Sequence, residues 1–178
     1  MWFLEFITEA SIRRIKAFRQ RLGQPETSTA TGLADDAIQM LSHEHYRDFV
    51  LPCHKRQVAE FGSDGPNSMH LCGDATHHFR FIRDELKVNS FDTGFPVDHG
   101  WLREELGPDV TIYGGPSAEL VRSGPVAALV AESRRILQSG VMEGGKFVLR
   151  EGNNLAPHTP PEHVRAMYEA GREYGRYG

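Results

Sequence analysis

Short apolar segments and helix-length amphipathic stretches alternate along this whole chain, and that alternation limits its fold more than any other feature. Strand-like segments fall near Thr27–Leu33, Ser68–Cys72, Val88–Asp92, Val110–Tyr113 and Lys146–Arg150. Between them the spacing predicts helices. Thr8 is placed to cap a helix over Glu9–Leu22, with Gly23 as its stop. Ser42 is placed to cap a long helix through Phe61, which Pro52 should kink or split. Further helices are expected over Thr76–Leu86, Asp98–Leu106, Pro125–Gln138 and from Pro160-Pro161 to Tyr174. Five strands separated by helices favour parallel pairing through crossovers. Two α/β architectures then fit, a doubly wound open sheet or an arc of an eight-stranded βα barrel. At 178 residues the chain is short of the ~250 typical of a whole barrel. No Gly-x-Gly-x-x-Gly opens a helix, so a dinucleotide fold lacks its fingerprint.

Composition narrows the function classes. A net charge of −4 gives no electrostatic reason to expect nucleic acid or an anionic membrane. No apolar run approaches the ~20 residues of a spanning helix. The apolar opening Met1–Phe6 is too short for a signal-peptide core and lacks a cationic lead. Two cysteines, Cys53 and Cys72, exclude a disulfide scaffold and suit a reducing, cytoplasmic setting.

In both architectures chemistry sits at the carboxyl ends of strands. That rule singles out Asp35 and Asp36, His70 and Cys72, Asp92, Tyr113-Gly114-Gly115, and Gly152-Asn153-Asn154. His70 and Cys72 are the sharpest pair. Residues i and i+2 of a strand share a face, and imidazole with thiolate is a donor set zinc selects. Two ligands do not complete a site, and a buried cysteine beside a hydrogen-bonded histidine is common in cores. Asp35 and Asp36 could bind a cation or act as a base, or simply make a turn. Gly114-Gly115 could admit a substrate close to the backbone, or form a tight turn. No nucleophile elbow, phosphate loop or Cys-x-x-Cys is present.

At His70-Leu71-Cys72-Gly73 the chain resembles the carboxyl-terminal part of the uroporphyrinogen decarboxylase superfamily, which includes zinc-dependent corrinoid methyltransferases. Other blocks carry the likeness in the same order. Leu41 through Pro52 resembles a family helix, and Phe91-Asp92 a strand ending in Asp. Tyr113-Gly114-Gly115-Pro116 resembles a family turn. Gly144–Leu149 and Gly152–Pro160 resemble the closing strand and its loop. The resemblance runs from about Ile7 to Gly175.

The resemblance implies a (βα)8 TIM barrel of which this chain, as a single domain over residues 1–178, holds about the last five strands, with helices outside and the opening βα units missing. It implies zinc-assisted methyl transfer between a corrinoid and a thiol. His70 and Cys72 would be metal ligands, and Asp35, Asp36 and Asn153 would complete or orient the site. Asp92, Tyr113, Gly114 and Gly115 would bind substrate. Asn153 departs from the family, because methyltransferases carry a Cys there and decarboxylases a His. The second implied activity is decarboxylation of uroporphyrinogen or a similar polyacid, for which Arg80, Arg83, Arg103 and Arg150 are the nearby cations. A third reading is an inactive or subunit-binding half-barrel. The partners implied are a small-molecule substrate or a corrinoid protein, with a homodimer or an amino-terminal part covering the open barrel.

Overall fold

The computed structural model describes residues 2–62 and 65–177. Met1 of the apolar opening lies outside them. The expected α/β arc is present: β1 (Gly32–Ala34), β2 (Asn67–Leu71), β3 (Val88–Thr93), β4 (Thr111–Gly114) and β5 (Phe147–Leu149) form one sheet in sequence order. Every pair of neighbours is parallel. The helices are α1 (Trp2–Arg21), α2 (His43–His45), α3 (Leu51–Phe61), α4 (Phe79–Leu86), α5 (His99–Leu106), α6 (Ala118–Ser123), α7 (Val126–Leu137) and α8 (Pro161–Tyr174). Among the described residues, no helix is long and apolar enough to cross a membrane.

Several boundaries moved, each for a local reason. Helix α1 starts at Trp2, because nothing between Trp2 and Thr8 breaks a helix. Thr8 is therefore internal, and its hydroxyl donates to the Leu4 carbonyl one turn back, 2.8 Å away. The expected stop holds, with Gly23 in the left-handed region at φ 63°. Ser42 caps α2 as expected, its Oγ accepting the His45 N–H at 3.2 Å. Pro52 lacks the N–H that a regular helix would donate to Asp48. The chain answers with a π turn over Tyr46–Val50, where the Leu51 N–H donates to Tyr46, so helix continues into α3. Helix α6 was not foreseen. It is a short turn capped by Ser117 Oγ, which accepts the Leu120 N–H at 3.2 Å.

One face of the sheet is dry and the other is wet. Met69, Leu71, Phe91, Ile112 and Phe147 alternate onto the outer face and are buried with Phe79, Ile82, Leu102 and Ile136 from the helices. Burying each such side chain is worth roughly 1.5–3 kcal/mol. The intervening residues, Ser68, His70, Ser90, Asp92 and Tyr113, face the concave side and stay partly or fully exposed. Purely parallel sheets are usually apolar on both faces, so the polar concave face marks this sheet as one side of a chamber.

Two features secure the ends of the strands. At the amino-terminal base, the buried Arg103 guanidinium donates to four carbonyls, those of Val141, Gly107, Val110 and Lys146, at 2.7–3.0 Å. This cation stitches α5 to the entries of β4 and β5. At the open edge of β5, the Tyr177 hydroxyl donates to the Phe147 carbonyl at 2.9 Å and accepts the Phe147 N–H at 3.1 Å. It bonds Phe147 as a neighbouring strand would.

At the upper ends of β3 and β4, the His99 ring is buried with neither nitrogen hydrogen-bonded. Burial, aided by the positive charge of Arg135, pushes its pKa from 6.5 down to about 4.

Two predictions follow from these buried groups. Arg103→Ala strands four carbonyls and should cost roughly 3 kcal/mol or more, read as a lower urea midpoint at unchanged m-value. Arg103→Lys should recover only part of that, because an ammonium cannot span the same fork. For His99, both states are neutral above pH 6.5. Between 6.5 and 4 only the unfolded chain takes the proton, so stability is lost as pH falls through that window. The loss should approach roughly 3 kcal/mol by pH 4. Urea titrations of wild type and His99→Phe should diverge in slope over that window, and parallel curves would refute the assignment.

Candidate functional site

The site grows from the register of the sheet. Ala34, His70, Asp92, Tyr113 and Val148 stand opposite one another across the five strands. Residues in one such row point to the same face, so His70 and Asp92 meet on the concave side. His70 Nδ1 lies 2.9 Å from Asp92 Oδ2. The ring must donate there, because a carboxylate only accepts. In the neutral ring Nε2 then carries the lone pair, and it lies 3.4 Å from Cys72 Sγ. Gly94 makes room for Cys72, since a Cβ at Gly94 would run into the cysteine side chain.

Asp35 and Asp36 are adjacent, and the local turn separates their roles. Asp35 caps a 3₁₀ turn over Asp36–Met40, its Oδ1 accepting the Ala37 N–H at 3.2 Å. Its Oδ2 lies 3.3 Å from His54 Nε2, and His54 Nδ1 lies 3.2 Å from the Tyr46 hydroxyl. Asp35 is therefore engaged with the helix behind the sheet, where burial, and then the charge of Asp35, pushes the Tyr46 phenol well above its ordinary value. Asp36 turns the other way. Its Oδ1 accepts the Cys72 N–H at 2.8 Å and stands 3.6 Å from His70 Nε2.

Asp36, His70 and Cys72 thus offer one carboxylate oxygen, one imidazole nitrogen and one sulfur within 4.8 Å of one another. Among the described residues this is the one group of three that could hold a metal ion. Burial, and then the nearby charges of Asp36 and Asp92, push the Cys72 thiol up from its ordinary value. The cluster repels added negative charge and suits a cation.

The other expected site residues are placed as follows. Tyr113 lines a concave cavity of about 350 Å³ with Ser68, His70, Ser90, Asp92 and Arg150. Gly114 and Gly115 are packed by protein rather than open. A Cβ at Gly114 would strike His99 and Thr93, and one at Gly115 would strike the Arg150 carbonyl. Gly115 also lines a neighbouring cavity of about 300 Å³ with Asp98 and His99. Asn153 is engaged elsewhere: its Oδ1 accepts from Asn154 Nδ2 at 3.1 Å, and its carbonyl accepts from Arg150 Nη2 at 2.6 Å.

Arg150 is the site residue whose importance the sequence concealed. Its Nη1 is 3.2 Å from Asp92 Oδ1, close enough for attraction but without hydrogen-bond alignment. The other candidate arginines are remote from the cavity. Arg103 is bound at the base, Arg83 donates to the carbonyls of Glu105 and Leu106, and Arg80 is exposed beside Glu105. A larger depression of about 760 Å³ lies between β5 and α8, lined by apolar side chains such as Leu149, Val164 and Met167, and holds none of these polar groups.

The chain matches the family model described as uroporphyrinogen decarboxylase (URO-D) over residues 2–174. It is 28% identical over 145 residues to a methylated-thiol–coenzyme M methyltransferase of Methanosarcina mazei, across 79% of this chain and 37% of that protein. It is 27% identical over 141 residues to a uroporphyrinogen decarboxylase of Prochlorococcus marinus, across 78% of this chain and 39% of that protein. A solved methyltransferase from Methanosarcina mazei superposes with a TM-score of 0.69 at 22% identity, covering 95% of this chain and 48% of the other. That last likeness bears on the fold alone. The chain spans less than half the length of each of these three proteins.

Proposed function

Because the chain belongs to the uroporphyrinogen decarboxylase family, we propose that its concave site binds zinc through His70, Cys72 and Asp36 and serves methyl transfer from a corrinoid to a thiol. The observation that carries this reading is the convergence of three lone-pair atoms within 4.8 Å, with the Cys72 thiol proton as the one donor between them. Three protein donors with an open fourth position is the usual form of a catalytic zinc site. Bound there, zinc would draw a substrate thiol toward its nucleophilic thiolate form.

The protein's own groups have separate tasks. Asp92 holds the His70 ring with Nε2 facing the cluster. Asp36 braces the Cys72 backbone while presenting the same oxygen to the site. Ser68, Ser90 and Tyr113 line the approach with hydroxyls. A corrinoid would supply the methyl group, its methyl–cobalt electron pair staying with cobalt as the sulfur–carbon bond forms, while His70, Cys72 and Asp36 would hold the metal that activates the thiol. The identities to a thiol methyltransferase and to a decarboxylase are nearly equal, at 28% and 27%, so the metal-ligand cluster is what supports this branch. Decarboxylation of a polyacid, the activity named for the Prochlorococcus relative, calls for several cations. Arg150 alone of the four candidate arginines lines the cavity, and it is already paired with Asp92 and Glu151.

A subunit-binding role is favoured by a different observation. Among the described residues, β1 and β5 end the sheet without neighbouring strands, and Tyr177 covers the Phe147 backbone groups at one edge. Exposed strand edges invite another chain. We propose a companion polypeptide there, another βα segment or a second copy.

Two measurements test these readings. Metal analysis of the purified protein should find zinc near one per chain, lost in His70→Ala and Cys72→Ala. Absence of zinc, or content indifferent to both changes, would refute the metal site. Light scattering after size exclusion should give a mass above that of one chain. A soluble, cooperatively folded monomer at all concentrations would refute the need for a companion.

A further inference from the structure

We infer that Asp92 and Arg150 are a positioning pair that sets the tautomer of His70 and ties the loop after β5 to the metal cluster. The inference rests on the metal-site reading above but makes a separate claim about the free protein. Asp92 lines the cavity, where a substrate contact is expected of it, and its geometry assigns it a further task, because one of its oxygens is committed to His70 Nδ1 at 2.9 Å. A neutral histidine carries one N–H. Placing that hydrogen on Nδ1 leaves the Nε2 lone pair aimed at Cys72 Sγ, 3.4 Å away, and toward Asp36 Oδ1 at 3.6 Å. With the opposite tautomer, the His70–Asp92 contact would set two acceptors against each other, and Nε2 would have no lone pair to give a metal.

Arg150 extends this control to the loop. It follows β5 directly and reaches across β4 to Asp92 Oδ1, at 3.2 Å. Its Nη2 donates to Glu151 Oε1 at 3.0 Å and to the Asn153 carbonyl at 2.6 Å. One planar guanidinium therefore joins β3 to the segment carrying Asn153. The Asn153 side chain bonds to Asn154, so this loop is held to the cluster through its backbone. A chain of contacts runs from Asn153 through Arg150, Asp92 and His70 to Cys72. A carboxylate that orients a metal-binding imidazole commonly changes metal affinity by 10–100-fold when removed.

The experiment uses the full chain, cobalt(II) as the probe, and two readouts. Cobalt affinity is followed through the thiolate-to-cobalt charge-transfer absorption that Cys72 would supply. The His70 tautomer is read from long-range proton–nitrogen NMR correlations of the metal-free protein. Wild type should show Nδ1–H. Asp92→Ala should weaken cobalt binding by ~10–100-fold, keep the charge-transfer band at saturation, and shift His70 toward Nε2–H. Asp92→Asn should largely restore both, since its Oδ1 still accepts from Nδ1–H. Arg150→Ala should weaken binding less, and Arg150→Lys less again. If Asp92→Ala leaves affinity and tautomer as in wild type, the inference is overturned. If wild type binds no cobalt, the metal reading fails by itself and the tautomer comparison still decides the inference. Should Asp92→Ala not fold, the Asp92→Asn and Arg150→Ala pair carries both readouts.

Discussion

Met69, Leu71, Phe91, Ile112 and Phe147 leave water together on one face of a single parallel sheet, and the chemistry depends on which side chains this leaves on the other face. Side chains alternate along a strand, so a one-residue slip of β2 or β3 would expose its apolar set. At roughly 1.5–3 kcal/mol for each buried side chain, that slip costs several times what a half-exposed imidazole–carboxylate hydrogen bond contributes, which is about 1–2 kcal/mol. The His70–Asp92 contact is thus a consequence of register, and register is a consequence of burial. The site is assembled by forces acting on the opposite side of the sheet.

Electrostatics then select what the assembled cluster can hold. Asp36 and Asp92 flank a thiol and an imidazole nitrogen, and burial with these carboxylates disfavours a bare thiolate. A dication reverses that balance, because it stabilises the thiolate and the carboxylate at once. Arg150 does not neutralise the cluster. It meets Asp92 on the side away from the three converging atoms, and its other bonds go to the loop.

Much of this was legible in the sequence because it rests on period-two patterning. The five strands follow from short apolar segments, their parallel pairing from the helices between them, and the His70–Cys72 pair from the shared face of strand positions i and i+2. What stayed hidden depended on single local choices. Asp35 and Asp36 are equivalent as letters, and only the cap on the 3₁₀ turn sends one to His54 and the other to Cys72. Arg150 closes a segment read as strand and stands among four candidate cations, and its partners Asp92 and Asn153 are set by tertiary contacts that no local pattern displays. The close packing at Gly114 and Gly115 comes from the His99 ring and the Arg150 carbonyl, which distant parts of the chain bring there. Asn153 lies where the resemblance expects a ligand, yet its neighbour Asn154 claims its oxygen.

The composition of the concave face bears on how the open sheet is completed. Barrel interiors are commonly packed with Val, Ile and Leu. Here the inward row carries Ser68, His70, Ser90, Asp92 and Tyr113, with Arg150 above it. Closing a dry apolar element against these groups would strip water from hydroxyls, a carboxylate and a guanidinium without supplying partners, at a cost of several kcal/mol. The companion proposed for the edges of β1 and β5 would therefore have to arch over the cavity and leave it wet. Edge pairing and an open chamber are compatible, because the edges bond through backbone atoms while the chamber is lined by side chains. A partner chosen for apolar complementarity belongs on the outer side, where the groove between β5 and α8 presents Leu149, Val164 and Met167. The two surfaces present different chemistry, apolar between β5 and α8 and polar on the concave face, and the proposed companion would have to answer each in kind.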